Sequence, residues 1–491
     1  MGRIQLTTVK LQMDGTLSSE EPEFQLYQRR WLFLVLIALL QIIPGTSNVS
    51  FGQISDVFVT FYGVTYAQVD WLTLAVNIGP IILTIPLSWC VVNGRLGFRA
   101  LSIAQGVSTT LGFAIIACSA ASSFLFSLML LGQIINSLAT TARLIIPPVF
   151  SALWFPEHQV GTAIGFSVMS SYLGNVLGYT LLPNIFQVPL KVNDSDTRTT
   201  NELWMAQTQL KLAAVFSAFS FVALFCTIIL FVCVSDHPPT PPSQSQMVKE
   251  AKTKPVGNSA KRLYLDLIKS LLRNKTYLLC CIVFGILSQI NMMELTMLPQ
   301  MLTKDFQKQK NISRINVLSG YVMTTFAVAC LCGSLAGGEL INRNKQYQLI
   351  ALVSCLFSSA SFIGLILAYV IESPALWFAC FALYGFMRQV GVVALYEMLT
   401  QLTYPIDEAF STVWMAGFQS LMGIAYAEAG REIFSGFGCL PVLVFQSVNL
   451  LITVLFCCFL KVDNNRFNAV DVHQSSLATH NELTALLNGS E

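Results

Sequence analysis

The sequence predicts an all-α integral membrane protein with twelve transmembrane helices arranged as two six-helix halves. Composition is the first observation, because 54% of the 491 residues are hydrophobic and 11% are charged, whereas soluble globular proteins carry about 25% charged residues. The second observation is a series of long apolar segments. The third is a polar interruption that divides this series into two equal groups. Lipid is therefore the predicted solvent for most of the chain.

A membrane-spanning helix needs roughly 20 predominantly apolar residues, and twelve segments meet that requirement. The predicted spans are 31–55, 69–92, 98–119, 124–147, 161–186, 211–234, 277–302, 316–341, 348–371, 375–400, 410–433 and 438–461. The first six form a predicted N-terminal bundle over 29–234, and the last six form a C-terminal bundle over 277–461.

The interruption at 235–276 begins with HPPTPPSQSQ and continues with a basic stretch that ends at Lys261 and Arg262. Proline-rich and basic composition is typical of a cytosolic linker. The polar tails at 1–28 and 462–491 are predicted to lie in the cytosol as well. An even number of spans agrees with this, because it places both tails on the same side.

Basic loops support this orientation, because cytosolic loops are enriched in Lys and Arg. The loops at 93–99 and 342–347 are both basic and are predicted to face the cytosol. On the opposite side, Asn193 and Asn311 each begin an N-x-Ser sequence, which predicts glycosylation there. One feature opposes the assignment, since the outer loop at 303–315 is also basic.

Several classes of function lack support in the sequence. The 13 cysteines lie mostly in apolar segments and are interpreted as small packing residues. Neither they nor the four histidines show a metal-ligand spacing, so we predict no metal and no cofactor. No phosphate-binding loop of the form G-x-x-x-x-G-K-[ST] is present, which argues against ATP-driven transport. All four histidines lie in loops or tails, so an intramembrane enzyme lacks an evident catalytic set, and the net charge of +2 gives no indication of nucleic-acid binding.

Two six-helix halves joined by a cytosolic linker resemble the major facilitator fold, which has a substrate site near the midplane. A loop between the second and third spans resembles the motif of that family, although Gly94 stands where the aspartate usually is. The matching positions are Gly94, Arg95, Gly97 and Arg99. We assign these residues, together with Glu397 near the cytosolic end of the tenth span, to gating or to contacts between helices.

Longer stretches resemble one branch of that superfamily, the feline leukemia virus subgroup C receptor family. These stretches are 54–58 (ISDVF), 61–65 (FYGVT), 69–72 (VDWL), 153–159 (LWFPEHQ), 238–243 (PPTPPS), and Glu397 followed by 403–405 (TYP). They are spread over nearly the whole chain apart from both tails. The resemblance implies a transporter of heme, or of choline and ethanolamine.

The same resemblance implies positions for a choline site. Members that carry choline hold its quaternary ammonium against a tryptophan on the first helix and a tyrosine on the seventh, by cation–π attraction. Those positions are occupied by Asn48 and Met292 in this sequence, and a glutamine position on the eleventh helix falls on Ser420, with Gln419 beside it. Both aromatic side chains that would contact the ammonium group are therefore missing, which puts choline recognition in question.

In the facilitator fold, the first, fourth, seventh and tenth helices line the central cavity. By the resemblance, polar residues of these spans are the candidate cavity residues, since charged groups at membrane depth usually face a partner or a wet cavity. The cavity residues assigned in this way are Asn48, Arg143, Gln289, Asn291, Glu294 and Arg388, together with Met292, Gln419 and Ser420, while Gln389 and Glu397 are further polar residues of the tenth span. Arg143 has two open interpretations, because it either faces the cavity or extends its side chain to the cytosolic interface.

Glu294 has three open interpretations. It forms a structural ion pair with Arg388, it contacts the substrate, or it carries a proton during the transport cycle. A substrate group that breaks the pair would reconcile the first two. Two arginines with one deep glutamate favour an anionic or zwitterionic ligand. Heme fits this charge pattern, because its propionates would bind the arginines and methionines such as Met292 would contact its apolar ring. These methionines are equally suited to packing between helices.

The sequence therefore predicts a transporter that moves a small organic solute by alternating access, with heme, choline or ethanolamine as candidates and possible proton or ion coupling. The alternative is a non-transporting receptor or sensor on the same fold. A multi-pass protein of this type is expected in the plasma membrane. A tail sequence that resembles an acidic dileucine sorting signal, formed by Glu482, Leu486 and Leu487, indicates the endosomal or lysosomal membrane as the other possibility.

Overall fold

The computed structural model describes residues 27–94, 97–155, 157–186, 197–235, 258–305, 312–344, 346–403 and 408–460, and this part of the chain is almost entirely helical. The helices are α1 (Arg29–Gln53), α2 (Ser55–Tyr62), α3 (Tyr66–Leu74), α4 (Ile78–Val92), α5 (Phe98–Ser119), α6 (Phe126–Trp154), α7 (Glu157–Ile185), α8 (Thr197–Cys233), α9 (Asn258–Arg273), α10 (Lys275–Asp305), α11 (Ile312–Asn344), α12 (Tyr347–Ile371), α13 (Pro374–Thr403), α14 (Glu408–Phe437) and α15 (Cys439–Phe459).

Twelve membrane crossings can be assigned to these helices. A 3₁₀ turn at Ala75–Asn77 joins α3 to α4, and together they make one crossing. Nine further helices are long and apolar enough to span a bilayer by composition, namely α1, α5, α6, α8, α10, α11, α12, α13 and α15. The remaining two, α7 and α14, contain 29 and 30 residues. At about 1.5 Å per residue, each of these two exceeds the bilayer core of about 30 Å.

Two buried apolar clusters hold the helices together. One is built from residues before 235 with the addition of Val413, and the other from residues after 260 with the addition of Val49 and Tyr179. Each half therefore has its own core, and few large apolar side chains belong to the core of the other half. This separation is the packing expected of two bundles that move relative to one another.

The halves meet mainly where α7 packs on α11 and where α4 packs on α14. Glycines permit the close approach at both contacts. A Cβ on Gly320 of α11 would lie 2.5 Å from the carbonyl oxygen of Tyr179 on α7. A Cβ on Gly417 of α14 would collide with the side chain of Thr84 on α4. Small residues at helix crossings are the usual means of bringing membrane helices together.

An even number of crossings puts the start of α1 and the end of α15 on the same side, which we call the terminal side. This is the side predicted to be cytosolic. On it, Gly94 adopts a backbone φ of 61° directly after α4, a left-handed conformation that glycine adopts without steric cost. The requirement for this conformation accounts for glycine at the position where the family motif has aspartate.

Two segments differ from the sequence-based boundaries. The spans predicted at 161–186 and 211–234 leave 187–210 as an outer loop, and this prediction is partly wrong, because α8 begins at Thr197, well ahead of the apolar span. Hydropathy locates only the lipid-embedded part of a helix, and the polar turns that precede it remain helical. In the same way, the predicted linker at 235–276 contains the helix α9.

Candidate functional site

Arg388 lies near the middle of α13, at about the mid-depth of the membrane. Its guanidinium donates to three oxygens, through Nε to the carbonyl of Leu287 at 3.1 Å, through Nη2 to the carbonyl of Ser288 at 3.4 Å, and through Nη1 to Gln389 Oε1 at 3.3 Å. The residue is 7% exposed. Tyr172 on α7 also donates to Gln389 Oε1, at 2.5 Å. This network therefore connects the two halves at mid-membrane.

The predicted alternative of an ion pair between Glu294 and Arg388 is not what the structure shows. Both residues are among those described, and Arg388 binds backbone carbonyls and an amide instead. Arg343 and Arg431 are examples of described residues that do form ion pairs. Among the described residues, Arg388 is thus a buried cation that is satisfied by dipoles and forms no ion pair with a carboxylate.

Glu294 lies inside the C-terminal bundle rather than beside Arg388. It is 1% exposed, and neither carboxylate oxygen has a hydrogen-bond partner in the described residues. Its carboxylate faces the side-chain amide of Gln446 on α15, whose two polar atoms are also without hydrogen bonds. Tyr384 on α13 interacts electrostatically with both Glu294 and Arg388. Burial of an isolated ionised carboxylate is very costly, so this site favours a neutral carboxyl group.

Gln289 lies on α10 at the contact between the halves. It is 2% exposed, and its Oε1 has no hydrogen-bond partner among the described residues. A Cβ on Gly423 of α14 would lie next to both Gln289 Oε1 and the side-chain nitrogen of Asn77, which is also unpaired. Gly423 therefore provides the space in which two amides from opposite halves face one another.

The N-terminal half contains a chain of amides on the side opposite to the terminal side. Gln133 on α6 donates to Asn48 on α1 at 3.1 Å, and Asn136 donates to Gln133 at 3.3 Å. Arg143 follows Asn136 by seven residues, which places it on the same stripe of α6, about 10 Å nearer the terminal side. Arg143 is half-buried, and its guanidinium has no partner in the described residues. Its carbonyl oxygen accepts from Gln41 on α1 at 3.1 Å.

The other predicted cavity residues are distributed over α10 and α14. Asn291, Met292 and Gln419 are half-buried, whereas Ser420 is 6% exposed. Asn291 Oδ1 is buried without a partner among the described residues. The half-buried residues retain some accessible surface in an otherwise packed bundle, as a ligand contact requires.

The predicted gating residues remain near the terminal side. Arg99 on α5 donates to the carbonyl of Phe231 on α8 at 3.0 Å and lies over the Phe231 ring, so it fixes α5 to α8 within one half. Gly97 is extended and precedes α5 directly, and Glu397 is half-buried on α13. Several predicted positions lie outside the described residues, namely Arg95, Asn193, Asn311, Glu482, Leu486 and Leu487.

Sequence reasoning missed a group of contacts between the halves on the side opposite to the terminal side. Gln300 on α10 donates to Asp70 Oδ1 on α3 at 2.9 Å. Asp70 is 5% exposed and also interacts with Glu428 and Arg431 of α14, which form an ion pair with each other. The signal was present in the sequence, because Asp70 is a carboxylate within an apolar span.

Comparison with known proteins agrees with this architecture. A model of the Major Facilitator Superfamily matches residues 30–427. The chain is 25% identical to the choline/ethanolamine transporter FLVCR1 of Felis catus over 92% of this chain and 76% of the relative. It is 27% identical to the choline/ethanolamine transporter flvcr2a of Danio rerio over 94% of this chain and 93% of the relative.

A solved structure shows the same fold at low identity. The E. coli fucose:proton symporter FucP superposes with a TM-score of 0.60 at 13% identity, covering 88% of this chain and 99% of that one. The predicted all-α fold with twelve membrane helices is thereby confirmed, as is the expectation that the chain is not an enzyme. The chain belongs to the Major Facilitator Superfamily and is a multi-pass membrane transporter of a small molecule.

Proposed function

We propose that this transporter carries a small organic solute with an anionic or zwitterionic group, by alternating access of its two halves to a site at the Arg388 level. Heme and related carboxylate-bearing metabolites are the preferred class, ahead of the choline and ethanolamine named for its relatives. The alternative of a non-transporting receptor is not favoured, because the family consists of transporters.

The observation that carries this proposal is that no carboxylate of the described residues pairs with Arg388. A buried guanidinium whose described partners are carbonyls, an amide and neighbouring tyrosine hydroxyls keeps its full charge. A carboxylate that reaches it gains a charge-assisted hydrogen bond, which is about twice as strong as a neutral one. Arg143, unpaired within the described residues and half-buried, supplies a second cation from the other half of the molecule. A ligand that contacts both would draw the halves together.

The positions implied for choline support the same preference. Asn48 stands where choline-carrying members have tryptophan, and its amide oxygen is occupied by Gln133. Met292 stands where they have tyrosine and is half-buried. A quaternary ammonium is recognised best over an aromatic face, and neither residue offers one. Choline would need a differently built site here.

Glu294 is proposed as the proton carrier of the transport cycle. Its carboxyl group is buried away from Arg388 and faces Gln446, an amide that can accept from the protonated form and donate to either form. Substrate contact by Glu294 is less favoured, since the residue is 1% exposed within the C-terminal bundle. Proton movement would then be separated in space from solute binding.

The experiment that tests the solute class uses purified protein in proteoliposomes. Uptake of labelled choline is measured beside the thermal stabilisation caused by heme, ethanolamine and a panel of organic acids, since a ligand that binds only the folded state raises its stability. We expect no choline flux and stabilisation by carboxylate-bearing compounds that is lost in Arg388→Gln. Robust choline uptake that depends on Glu294 would overturn the proposal.

The membrane in which the protein resides is proposed from the sequence alone. Glycosylation at Asn193 and Asn311 follows from the predicted orientation, and the plasma membrane is the proposed location. The sorting signal at Glu482, Leu486 and Leu487 would instead direct the protein to endosomes or lysosomes. Glycosidase treatment and the location of a Leu486→Ala, Leu487→Ala variant distinguish these outcomes.

A further inference from the structure

Helix α9 inserts one side chain between the two halves on the terminal side. The hydroxyl of Tyr264 hydrogen-bonds to that of Ser88 on α4 at 3.1 Å. Its ring makes edge-on contacts with Trp89 at 5.3 Å and with Phe410 near the start of α14 at 6.0 Å. Because α4 belongs to one half and α14 to the other, Tyr264 contacts both.

The position of α9 relative to the membrane follows from these contacts. Ser88 lies four residues before the end of α4, and Phe410 lies two residues after the start of α14. A single residue, Asn274, joins α9 to α10, and its Oδ1 accepts from the backbone N–H of Tyr277 at 3.1 Å. The helix therefore lies level with the ends of the membrane helices, where lipid headgroups are found.

The outer face of α9 is cationic. It carries three cations, Arg262, Lys269 and Arg273, against one carboxylate, Asp266, and all four side chains are exposed and unpartnered within the described residues. Lys261 is also exposed, but it lies about 100° around the helix from these cations. Such a charge excess on one helix face, without internal compensation, suits an anionic surface.

Two exposed leucines lie between the buried face and the cationic face. Leu265 and Leu272 are 55% and 57% exposed and are seven residues apart, so they form one stripe. At about 100° per residue, this stripe lies between the buried Tyr264 and Leu271 on one side and Lys269 on the other. The order of buried, apolar and cationic faces is typical of a helix that lies in the membrane interface.

We propose that α9 binds anionic phospholipid headgroups of the terminal-side leaflet through Arg262, Lys269 and Arg273, with Leu265 and Leu272 in the acyl boundary. The occupant is inferred from charge complementarity and from the level of the helix. Lipid bound there keeps α9 in place. It thereby keeps the side chain of Tyr264 between α4 and α14. The composition of the leaflet would thus bias the closure of the terminal side.

The test is amide hydrogen exchange over 258–273 in full-length protein, in nanodiscs of phosphatidylcholine with or without phosphatidylserine. Exchange reports local opening on the scale of minutes to hours. We expect phosphatidylserine to slow exchange by about fivefold or more, the contribution of a single juxtamembrane cation, and we expect high salt to reverse the effect. This readout requires no solute, so it stands or fails separately from the proposed transport function.

A charge-matched pair of variants makes the test specific. Arg262→Gln, Lys269→Gln, Arg273→Gln should abolish the lipid effect, whereas Lys249→Gln, Lys252→Gln, Lys254→Gln, which removes three other cations of the same linker, should retain it. Equal loss in both variants would show that general linker charge is responsible and would overturn the proposal. Identical exchange of the wild-type protein in the two lipids would overturn it without any variant.

Discussion

Two buried polar clusters, one in each half of this transporter, differ in how far their members are hydrogen-bonded. In the N-terminal half, Asn48, Gln133 and Asn136 form a chain of neutral amides that bond to one another. In the C-terminal half, Glu294 and Gln446 face one another with four polar atoms unbonded in the described structure. Each buried polar group without a partner costs about 1–3 kcal/mol.

This difference indicates which helices carry the proton and solute chemistry. Neutral, mutually bonded amides fix one arrangement of helices, which is a structural role. Unpaired groups persist where a second state or a ligand satisfies them, and such groups cluster at functional sites. Unpaired atoms also occur in the N-terminal half, among them Asn136 Oδ1, so the assignment rests on the chemistry of the groups, since Glu294 can carry a proton and Arg388 carries a charge. We assign proton and solute chemistry mainly to α10, α13 and α15, and a scaffold role to the amide chain.

The largest effect is expected from Arg388→Gln. The variant loses the buried charge and leaves the carbonyls of Leu287 and Ser288 without a charged donor, so we expect destabilisation by about 3 kcal/mol. Solute transport should fall to background. Thermal unfolding and proteoliposome flux measure the two effects.

Arg388→Lys serves as the control, because it keeps the charge while losing the planar fork of donors. If the lysine variant binds anionic solutes while the glutamine variant does not, charge is the recognised property. Wild-type flux in both variants would contradict the assignment of solute binding to the C-terminal half.

Glu294→Gln should change the pH dependence of flux and leave the fold intact. A glutamine cannot release a proton, and its amide can pair with that of Gln446, so stability should be unchanged or increased. We expect flux driven by a pH gradient to disappear while solute exchange at equal pH continues. Glu397→Gln, which alters another acid in a cavity helix, should keep the wild-type gradient dependence.

Gly423→Ala tests the contact between the halves. The added methyl group would meet Gln289 and Asn77, and overpacking of this kind costs about 1–3 kcal/mol. We expect a lower melting temperature and slower transport, because the halves would be pushed apart at their amide contact. Gly436→Ala is the matched control on the same helix, since nothing lies within 4 Å of its Cβ position.

The smallest effect is expected from Asn48→Ala. It removes one neutral hydrogen bond in the N-terminal chain, worth about 1 kcal/mol, and should leave the pH dependence of flux unchanged. A melting curve and a flux measurement at two pH values check this. Loss of transport here, with stability retained, would mean that the amide chain contacts solute and would remove the distinction between the halves.

Much of the fold could be predicted from hydropathy, since lipid exposure leaves a strong compositional signal. The span predicted at 98–119 coincides with α5. The start of α8 was missed because its first turns lie in polar surroundings. Helix α9 was missed because its proline-rich and basic context indicated a linker, although Tyr264 and Leu271 already recur at helical spacing.

Less of the candidate site could be predicted from the sequence, because which polar side chains contact one another depends on how the helices pack. Arg388 and Glu294 are evident as charges within apolar spans, but only the tertiary structure shows that they are not partners. Gln446 carries no charge and lies on a helix outside the cavity set. Its relation to Glu294 arises only when α10 and α15 are packed together.

The two separate apolar cores have a consequence for biosynthesis. Because the first core is built almost wholly from residues before 235, it can assemble while the ribosome is still adding the second half, at roughly 5–20 residues per second. Two polypeptides divided within 236–257 would each carry nearly all of one core. Co-expressed in one cell, such fragments should recombine in the bilayer into a working carrier.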